Sequence, residues 1–170
     1  MSSNTPLHDE SVHACVAQAL AQHGHTQEAL LPILHAVQAQ LGHVPAQAVP
    51  LIAQGLSLSR AEVHGVVTYY HFFRSEPPGR HVVQVCMAES CKACGGDALM
   101  AHAERVLGCA SHSTRGDGAV TLEPVYCLGL CAASPAMQVN AQVHARMTQE
   151  RFEQVVGRLG LTALSTEVAP

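Results

Sequence analysis

The chain has 170 residues, of which 48% are apolar and 13% are charged, with a formal net charge of −4 at neutral pH. This length suits one domain or one domain with a smaller appendage, and the low charge argues against a disordered chain. No dense run of Lys or Arg is present, so nucleic acid is not an expected partner, because phosphate binding requires clustered positive charge.

No apolar stretch approaches the roughly 18 residues that a membrane-spanning helix requires, so direct membrane insertion is not expected. Residues 1–13 are polar and lack the apolar segment of a secretory signal, which predicts a cytoplasmic protein. Thiols stay reduced in that compartment. The seven cysteines therefore indicate metal ligands or redox groups rather than structural disulfides.

Apolar residues at helical spacing predict a helical N-terminal domain over residues 1–76. The predicted helices run over 11–23, from a Thr26 cap to Gly42, from Pro45 to about Gly55, and onward from a capping box at Ser59 and Glu62. Pro32 falls near the start of the second helix, where its missing N–H is tolerated best.

Segment 66–73 is β-branched and aromatic, and its pattern does not distinguish helix from strand. Its aromatic side chains are expected in the core, namely Tyr69, Tyr70, Phe72 and Phe73. His35 and His71 lie near apolar stretches and are expected to be structural histidines rather than metal ligands.

A second domain is predicted over residues 77–170, after a boundary at Pro77, Pro78 and Gly79. Its pattern indicates a small α/β domain with the order β-α-β-β-β-α. The predicted elements are strands at 81–85 and 119–126, a hairpin around Asn140 and Ala141, helices over 95–108 and 149–159, a polar loop over 111–118, and a frayed tail after Gly160.

Two cysteine pairs follow the first two predicted strands of this domain. Cys86 and Cys91 form a C-x4-C step, and Cys127 and Cys131 form a C-x3-C step. Both loops leave the sheet at strand ends, where four thiolates can converge. A [2Fe–2S] cluster takes four cysteines, two for each iron, which makes these four its predicted ligands. Gly-rich loops can also point N–H groups at the cluster sulfurs.

Other interpretations of the same cysteines stay open. Spacing alone supports zinc as well as iron–sulfur, and four unrelated buried thiols are a further alternative. Cys94 extends the first pair to C-x4-C-x2-C, the opening of the plant-type ferredoxin pattern, in which Cys127 is the fourth ligand and Cys131 is unused. Cys91 and Cys94 also form a C-x-x-C at a strand-to-helix turn, as in a thioredoxin-like dithiol oxidoreductase.

The remaining residues offer no competing catalytic motif. Cys15 and Cys109 are predicted to be small apolar residues in helices. The twelve histidines are scattered, without a Cys-x-His pairing of the Rieske kind. No Ser/His/Asp set, paired carboxylates or phosphate-binding Gly loop supports a hydrolase or a nucleotide-binding protein.

Over roughly residues 10–160 the sequence resembles the thioredoxin-like [2Fe–2S] subunits of NADH dehydrogenases, the family of the 24 kDa subunit of respiratory complex I. The resemblance is carried by Leu31–Gln38, Gly42–Pro45, Glu62–Tyr70, Val85–Cys86 with Cys91, and Cys127–Cys131 followed by Pro135. It implies an α+β fold, with an N-terminal helical bundle followed by a thioredoxin-like α/β domain. It also implies iron–sulfur rather than zinc, with Cys86, Cys91, Cys127 and Cys131 as ligands and Cys94 as an extra thiol.

The same resemblance implies a non-catalytic electron-transfer subunit of an oxidoreductase complex, with FMN and NAD on a partner subunit and not on this chain. The loop Met87–Ser90 resembles that of the γ subunit of NAD-dependent molybdenum formate dehydrogenases. A larger iron–sulfur and molybdenum catalytic subunit is then a second expected partner. Equivalent subunits of an NAD-linked hydrogenase or of complex I are the alternatives.

Overall fold

The computed structural model describes residues 9–162, and the chain divides into two compact units, Met1–Pro77 and Pro78–Pro170. The described part of the first unit contains the helices α1 Asp9–His23, α2 Leu30–Leu41, α3 Ala48–Leu56 and α4 Arg60–Tyr69, with a 3₁₀ turn Gln27–Ala29 before α2. The second contains β1 His81–Cys86, α5 Glu89–Ala93, α6 Gly96–Leu107, β2 Ser113–Thr114, β3 Val120–Val125, a 3₁₀ turn Cys131–Ala133, β4 Met137–Val139, β5 Gln142–His144 and α7 Gln149–Gly157.

The apolar faces of the four described helices form the core of the first unit. Its largest fully buried side chains recur three or four positions apart, as an amphipathic helix requires: Val12, Val16, Ile33, Leu34, Val37, Ile52 and Leu56. Cys15 is buried among them in α1, as predicted. The capping box is confirmed, since the Glu62 N–H donates to Ser59 Oγ and the Ser59 N–H donates to the Glu62 carboxylate.

Two helix starts in this unit differ from the predictions. Thr26 precedes the 3₁₀ turn and makes no side-chain capping bond, and α2 begins only at Leu30. Pro45 lies one turn before α3, whose first residue Ala48 donates its N–H to the Pro45 carbonyl at 2.9 Å. A single hydrogen-bonded turn therefore comes before each helix, which capping preferences alone do not specify.

The prediction that the aromatic residues of segment 66–73 lie in the core is wrong for three of the four. Tyr69, Tyr70 and Phe72 are 77%, 43% and 57% exposed, and only Phe73 is buried. Because α4 ends at Tyr69 and a turn follows, successive rings point in different directions and cannot share one buried face. Tyr69, Tyr70 and Phe72 are called the aromatic patch below. The His35 ring packs 4.7 Å from the ring centre of Phe72, so it has the structural role expected of it.

The second unit is built on a five-stranded sheet with the order β2-β3-β1-β4-β5. β1 and β3 are parallel, and the other neighbours are antiparallel. α6 makes the crossover between the parallel pair and packs its apolar face on the sheet. The core contains Val83, Val85, Leu99, Ala103, Leu107, Val120, Leu122, Met137, Phe152 and Val156.

Several details of this unit were not predicted. The predicted polar loop 111–118 contains β2, which pairs with β3 through Ser113 opposite Leu122 and Thr114 opposite Thr121. Such a short polar strand has no alternation of apolar residues to reveal it. The short helix α5 was also missed, and Cys109 lies just after α6 rather than in a helix, where it is half-buried.

The C-terminal helix α7 is capped at its start, with the Arg151 N–H donating to Thr148 Oγ1. The chain after it stays attached, because buried Leu161 donates its N–H to the Val156 carbonyl. The prediction of a frayed tail after Gly160 is therefore wrong at Leu161, and residues 163–170 lie outside the described residues. Among residues 9–162, no helix combines the length and apolar character needed to span a bilayer.

Candidate metal centre

The parallel pairing of β1 and β3 brings the two cysteine loops to one edge of the sheet. Cys86 is the last residue of β1 and is paired with Val125, the last residue of β3. The pairing continues one residue further, since the Met87 N–H donates to the Val125 carbonyl at 2.8 Å. Carboxyl ends of parallel strands meet at the same edge, so the loops that follow leave the sheet side by side.

Within each cysteine pair, the two sulfur atoms are in contact. The Cys91 thiol, in α5, hydrogen-bonds the Cys86 sulfur. Cys127 Sγ and Cys131 Sγ are 3.8 Å apart. Two thiolates on one tetrahedral ion with metal–sulfur bonds of about 2.3 Å lie about 3.8 Å apart, so the second pair already has the spacing of two ligands on one metal.

The two pairs also face each other. The N–H groups of Cys127 and Leu128 donate to the Cys86 sulfur, which places the second loop against the first pair. The Cys131 thiol donates a hydrogen bond to the Cys127 sulfur, which is the main cause of a raised Cys131 pKa, and negative charge on Cys127 and on Cys91 adds to it. Thiolates crowded in this way favour a bound cation that neutralises them.

Backbone N–H groups surround the Cys86 sulfur. Burial raises the pKa of this thiol, but hydrogen bonds from the Ala88 N–H, the Cys91 thiol and the two loop N–H groups outweigh burial, and the pKa falls below its usual value. The Gly129 N–H donates to Cys127 Sγ at 3.4 Å. Gly129 has a φ of 75°, which glycine adopts without strain. The chain therefore supplies donors to sulfurs in both pairs.

The pairs differ in their exposure to solvent. Cys86 and Cys91 are 2% and 3% exposed, whereas Cys127 and Cys131 are exposed residues. Buried Ala136 and half-buried apolar side chains enclose the inner pair: Ala88, Val125, Leu128 and Leu130. One side of the centre is therefore apolar and the other lies at the surface.

Gly96, the first residue of α6, lies directly against the first cysteine loop. A Cβ atom placed there would be 2.8 Å from the Cys91 carbonyl oxygen and 3.2 Å from the Cys86 carbonyl oxygen. Only glycine allows this approach without moving the backbone that carries both thiols.

The two cysteine pairs fit a two-iron cluster. Within residues 9–162, no three or more His, Cys, Asp or Glu side chains are grouped as ligands of a single metal ion. A [2Fe–2S] cluster binds one thiolate pair on each of two irons, so its pairs stand farther apart. Two cysteine pairs fit this requirement, because the sulfurs within each pair are in contact and the second loop is hydrogen-bonded to the first pair.

The other three cysteines, Cys15, Cys94 and Cys109, are not among the residues of the apolar cluster around Cys86 and Cys91. Cys94 is exposed at the end of α5. Sequence reasoning missed two further residues at the centre, Ser90 and Ser134. Ser134 Oγ lies 3.5 Å from Cys91 Sγ and 2.9 Å from Ser90 Oγ. The available signal was their position, one residue before Cys91 and three after Cys131.

A mixed sheet with flanking helices, and four cysteines converging where its parallel strands end, define a thioredoxin-like iron–sulfur protein. The family model for the thioredoxin-like [2Fe–2S] ferredoxins matches residues 16–160, and the chain belongs to this family. The α+β prediction is thereby confirmed, and the cofactor of the chain is a [2Fe–2S] cluster.

Curated relatives support the same family. The chain is 36% identical over 141 residues to an NADH-quinone oxidoreductase subunit of Rhizobium meliloti (strain 1021), covering 83% of this chain and 84% of that protein. It is 33% identical over 133 residues to the corresponding NADH-quinone oxidoreductase subunit of Mycobacterium bovis (strain ATCC BAA-935 / AF2122/97). That match covers 78% of this chain and spans about half the relative's length, 53%.

Among solved structures, the chain is similar to one of the NAD+-reducing [NiFe]-hydrogenase in the H2-reduced state, with a TM-score of 0.66 and 23% identity. The match covers 85% of this chain and 24% of the hydrogenase chain. At this identity the likeness shows the fold alone.

Proposed function

We propose that this chain is an electron-transfer subunit that holds its [2Fe–2S] cluster on Cys86, Cys91, Cys127 and Cys131. The observation that carries the proposal is the meeting of two cysteine pairs, distant in sequence, where β1 and β3 end side by side. The bound cluster supplies one-electron transfer without binding a substrate.

The chain's own residues contribute positioning and tuning. The thiolates fix the place of the irons, and N–H groups directed at Cys86 and Cys127 stabilise added negative charge. The apolar side chains around Cys86 and Cys91 exclude water from the inner side. Exposure of Cys127 and Cys131 leaves the other side accessible to a redox partner.

Metal analysis of anaerobically purified protein tests this proposal directly. We expect about two irons and two acid-labile sulfides per chain, and a brown protein with visible absorption bands. A zinc module would give one zinc and no visible band. A dithiol oxidoreductase would give a colourless protein in which Cys91 and Cys94 cycle through a disulfide. Either of those results contradicts the proposal.

We infer that the chain works within a larger complex, as its relatives are named subunits of NADH-quinone oxidoreductases. The proposed partner is a subunit that carries FMN and oxidises or reduces NAD(H), in the cytoplasm. The Met87–Ser90 loop favours an NAD-dependent formate dehydrogenase, with a larger iron–sulfur and molybdenum subunit as second partner. A hydrogenase and complex I are the alternatives, and the gene for a molybdopterin or a nickel subunit next to this one would distinguish them.

The aromatic patch of the first unit offers the flavin subunit a contact surface. Exposed aromatic side chains are enriched at protein interfaces, where truncating one can cost on the order of 2 kcal/mol. We expect the Tyr69→Ser and Phe72→Ser double variant to bind a co-expressed flavin subunit at least about tenfold more weakly in size-exclusion and titration experiments. Val143→Ser, at an exposed apolar position of the second unit, is the control. Unchanged binding by the double variant would remove the patch from the interface.

A further inference from the structure

Two serine hydroxyls connect the cysteine loops. Ser90, in α5, belongs to the first loop, and Ser134 follows the 3₁₀ turn Cys131–Ala133 in the second. Their Oγ atoms are 2.9 Å apart, and they lie 3.1 Å and 3.0 Å from the same acceptor, the Cys131 carbonyl oxygen. A hydroxyl from each loop therefore meets at a carbonyl of a proposed ligand residue.

The Cys91 sulfur is the fourth member of this group. Cys91 Sγ lies 3.5 Å from Ser134 Oγ, and the same sulfur also contacts the Cys86 sulfur. In the protonated thiol, the S–H group donates to one of these two acceptors, and the Ser134 hydroxyl donates to the Cys131 carbonyl. Each hydroxyl has one proton, and its O–H can rotate between acceptors.

The binding of iron changes which of these groups has a proton to donate. A cysteine that binds iron does so as a thiolate, so its sulfur has no proton to donate and can only accept. The Ser134 hydroxyl is then the donor within reach of Cys91. Ser90 can donate to Ser134 Oγ at 2.9 Å, and the carbonyl of the exposed residue Cys131 can accept from water in its place.

We propose that Ser134 is a positioning residue that donates a hydrogen bond to the ligand sulfur of Cys91, and that Ser90 holds Ser134 in place. The proposal rests on the four-cysteine ligand set proposed above. Successive donation from Ser90 to Ser134 to Cys91 polarises each bond and strengthens the last one. Backbone N–H groups donate hydrogen bonds to the sulfurs of Cys86 and Cys127, and in this proposal the Ser134 hydroxyl does the same for the sulfur of Cys91.

The expected consequence is a higher reduction potential. A hydrogen bond to a ligand sulfur stabilises the reduced state, which has one more negative charge. Ser134→Ala removes the hydroxyl and leaves the rest of the side chain, so the variant's potential shifts to a more negative value. Ser134→Thr keeps a hydroxyl at the same position and restores the potential toward that of the wild type.

The test is a redox titration of the full-length protein with its cluster bound, followed by visible absorption and by electron paramagnetic resonance of the reduced form. We expect two irons per chain in Ser134→Ala, a more negative potential and changed g values. A smaller shift in the same direction is expected for Ser90→Ala. Ser113→Ala is the matched control, because Ser113 lies in the edge strand β2, outside both cysteine loops, and its Oγ donates to the Ala110 carbonyl at 2.6 Å.

The outcomes separate this inference from the proposed function. A wild-type protein without iron and sulfide would overturn the ligand set itself. A fully loaded Ser134→Ala protein with the wild-type potential and g values would overturn only the role of Ser134. If Ser134→Ala does not retain iron, Ser90→Ala and Ser134→Thr decide. A wild-type potential in Ser90→Ala, together with a potential clearly more negative than that of the wild type in Ser134→Thr, counts against the hydroxyl. A more negative potential in Ser90→Ala and a near-wild-type potential in Ser134→Thr support it.

Discussion

Replacing any one of Cys86, Cys91, Cys127 or Cys131 by alanine is expected to abolish the [2Fe–2S] cluster. Each substitution leaves one iron with a single protein thiolate, and the paired geometry of the centre offers no substitute nearby. The purified variants should contain less than about a tenth of the wild-type iron and sulfide and lack the visible bands. Anaerobic metal analysis and absorption spectroscopy provide the measurement.

Cys94→Ala is the matched control for these variants. Cys94 is three residues from Cys91 and exposed, so the substitution removes a thiol from the same segment without touching the buried pair. Full iron content and an unchanged spectrum are expected. The opposite pattern, a colourless Cys94→Ala protein and a fully loaded Cys131→Ala protein, would establish the plant-type ligand set instead.

Gly96→Ala is expected to weaken cluster binding without removing a ligand. The new Cβ would lie 2.8 Å from the Cys91 carbonyl oxygen, which belongs to backbone and has no rotamer to change. The first loop must therefore move away from α6 and carry the Cys91 thiol with it. Such overpacking costs about 1–3 kcal/mol. Thermal unfolding and the rate of iron loss to a chelator should both show the change.

Gly65→Ala separates this steric effect from that of adding a methyl group to a helix. Gly65 lies within α4, and a Cβ there meets nothing within 4 Å. Helix propensity alone then favours alanine by about 0.8–1.0 kcal/mol, so this variant should be slightly more stable and keep its cluster. A Gly96→Ala protein that is equally stable and keeps its cluster would show that the first loop can move away from α6 without weakening the cluster site.

The positions of the cysteine loops were predictable because they depend on few conditions. Apolar patterns over 81–85 and 119–126 predicted two strands, and the observed parallel pairing brings their carboxyl ends together. The capping box at Ser59 was predictable for a similar reason, since its hydrogen bonds join residues only three apart. Strong local patterns with one structural solution account for these successes.

The features that were missed depend on neighbours distant in sequence. Ser134 contacts Ser90 and Cys91 across more than forty residues, and no local pattern identifies such partners. β2 has two polar residues and exists only because β3 offers an unpaired edge. The aromatic residues near Tyr69 have an apolar composition typical of a core, but the end of α4 directs three of the rings to the surface. Tertiary contacts decide each of these features.

Because the two cysteine pairs differ in burial, the proposed centre has one side that is open to electron exchange and one side that is enclosed. A redox partner that approaches through water meets the loop of Cys127 and Cys131 before it reaches the interior pair. Because electron tunnelling weakens steeply with distance, this loop is the shorter route for electrons entering or leaving. Substitutions at exposed neighbours such as Tyr126 therefore act first on the speed of exchange with a partner, whereas changes around Cys86 act on the cluster's own energetics.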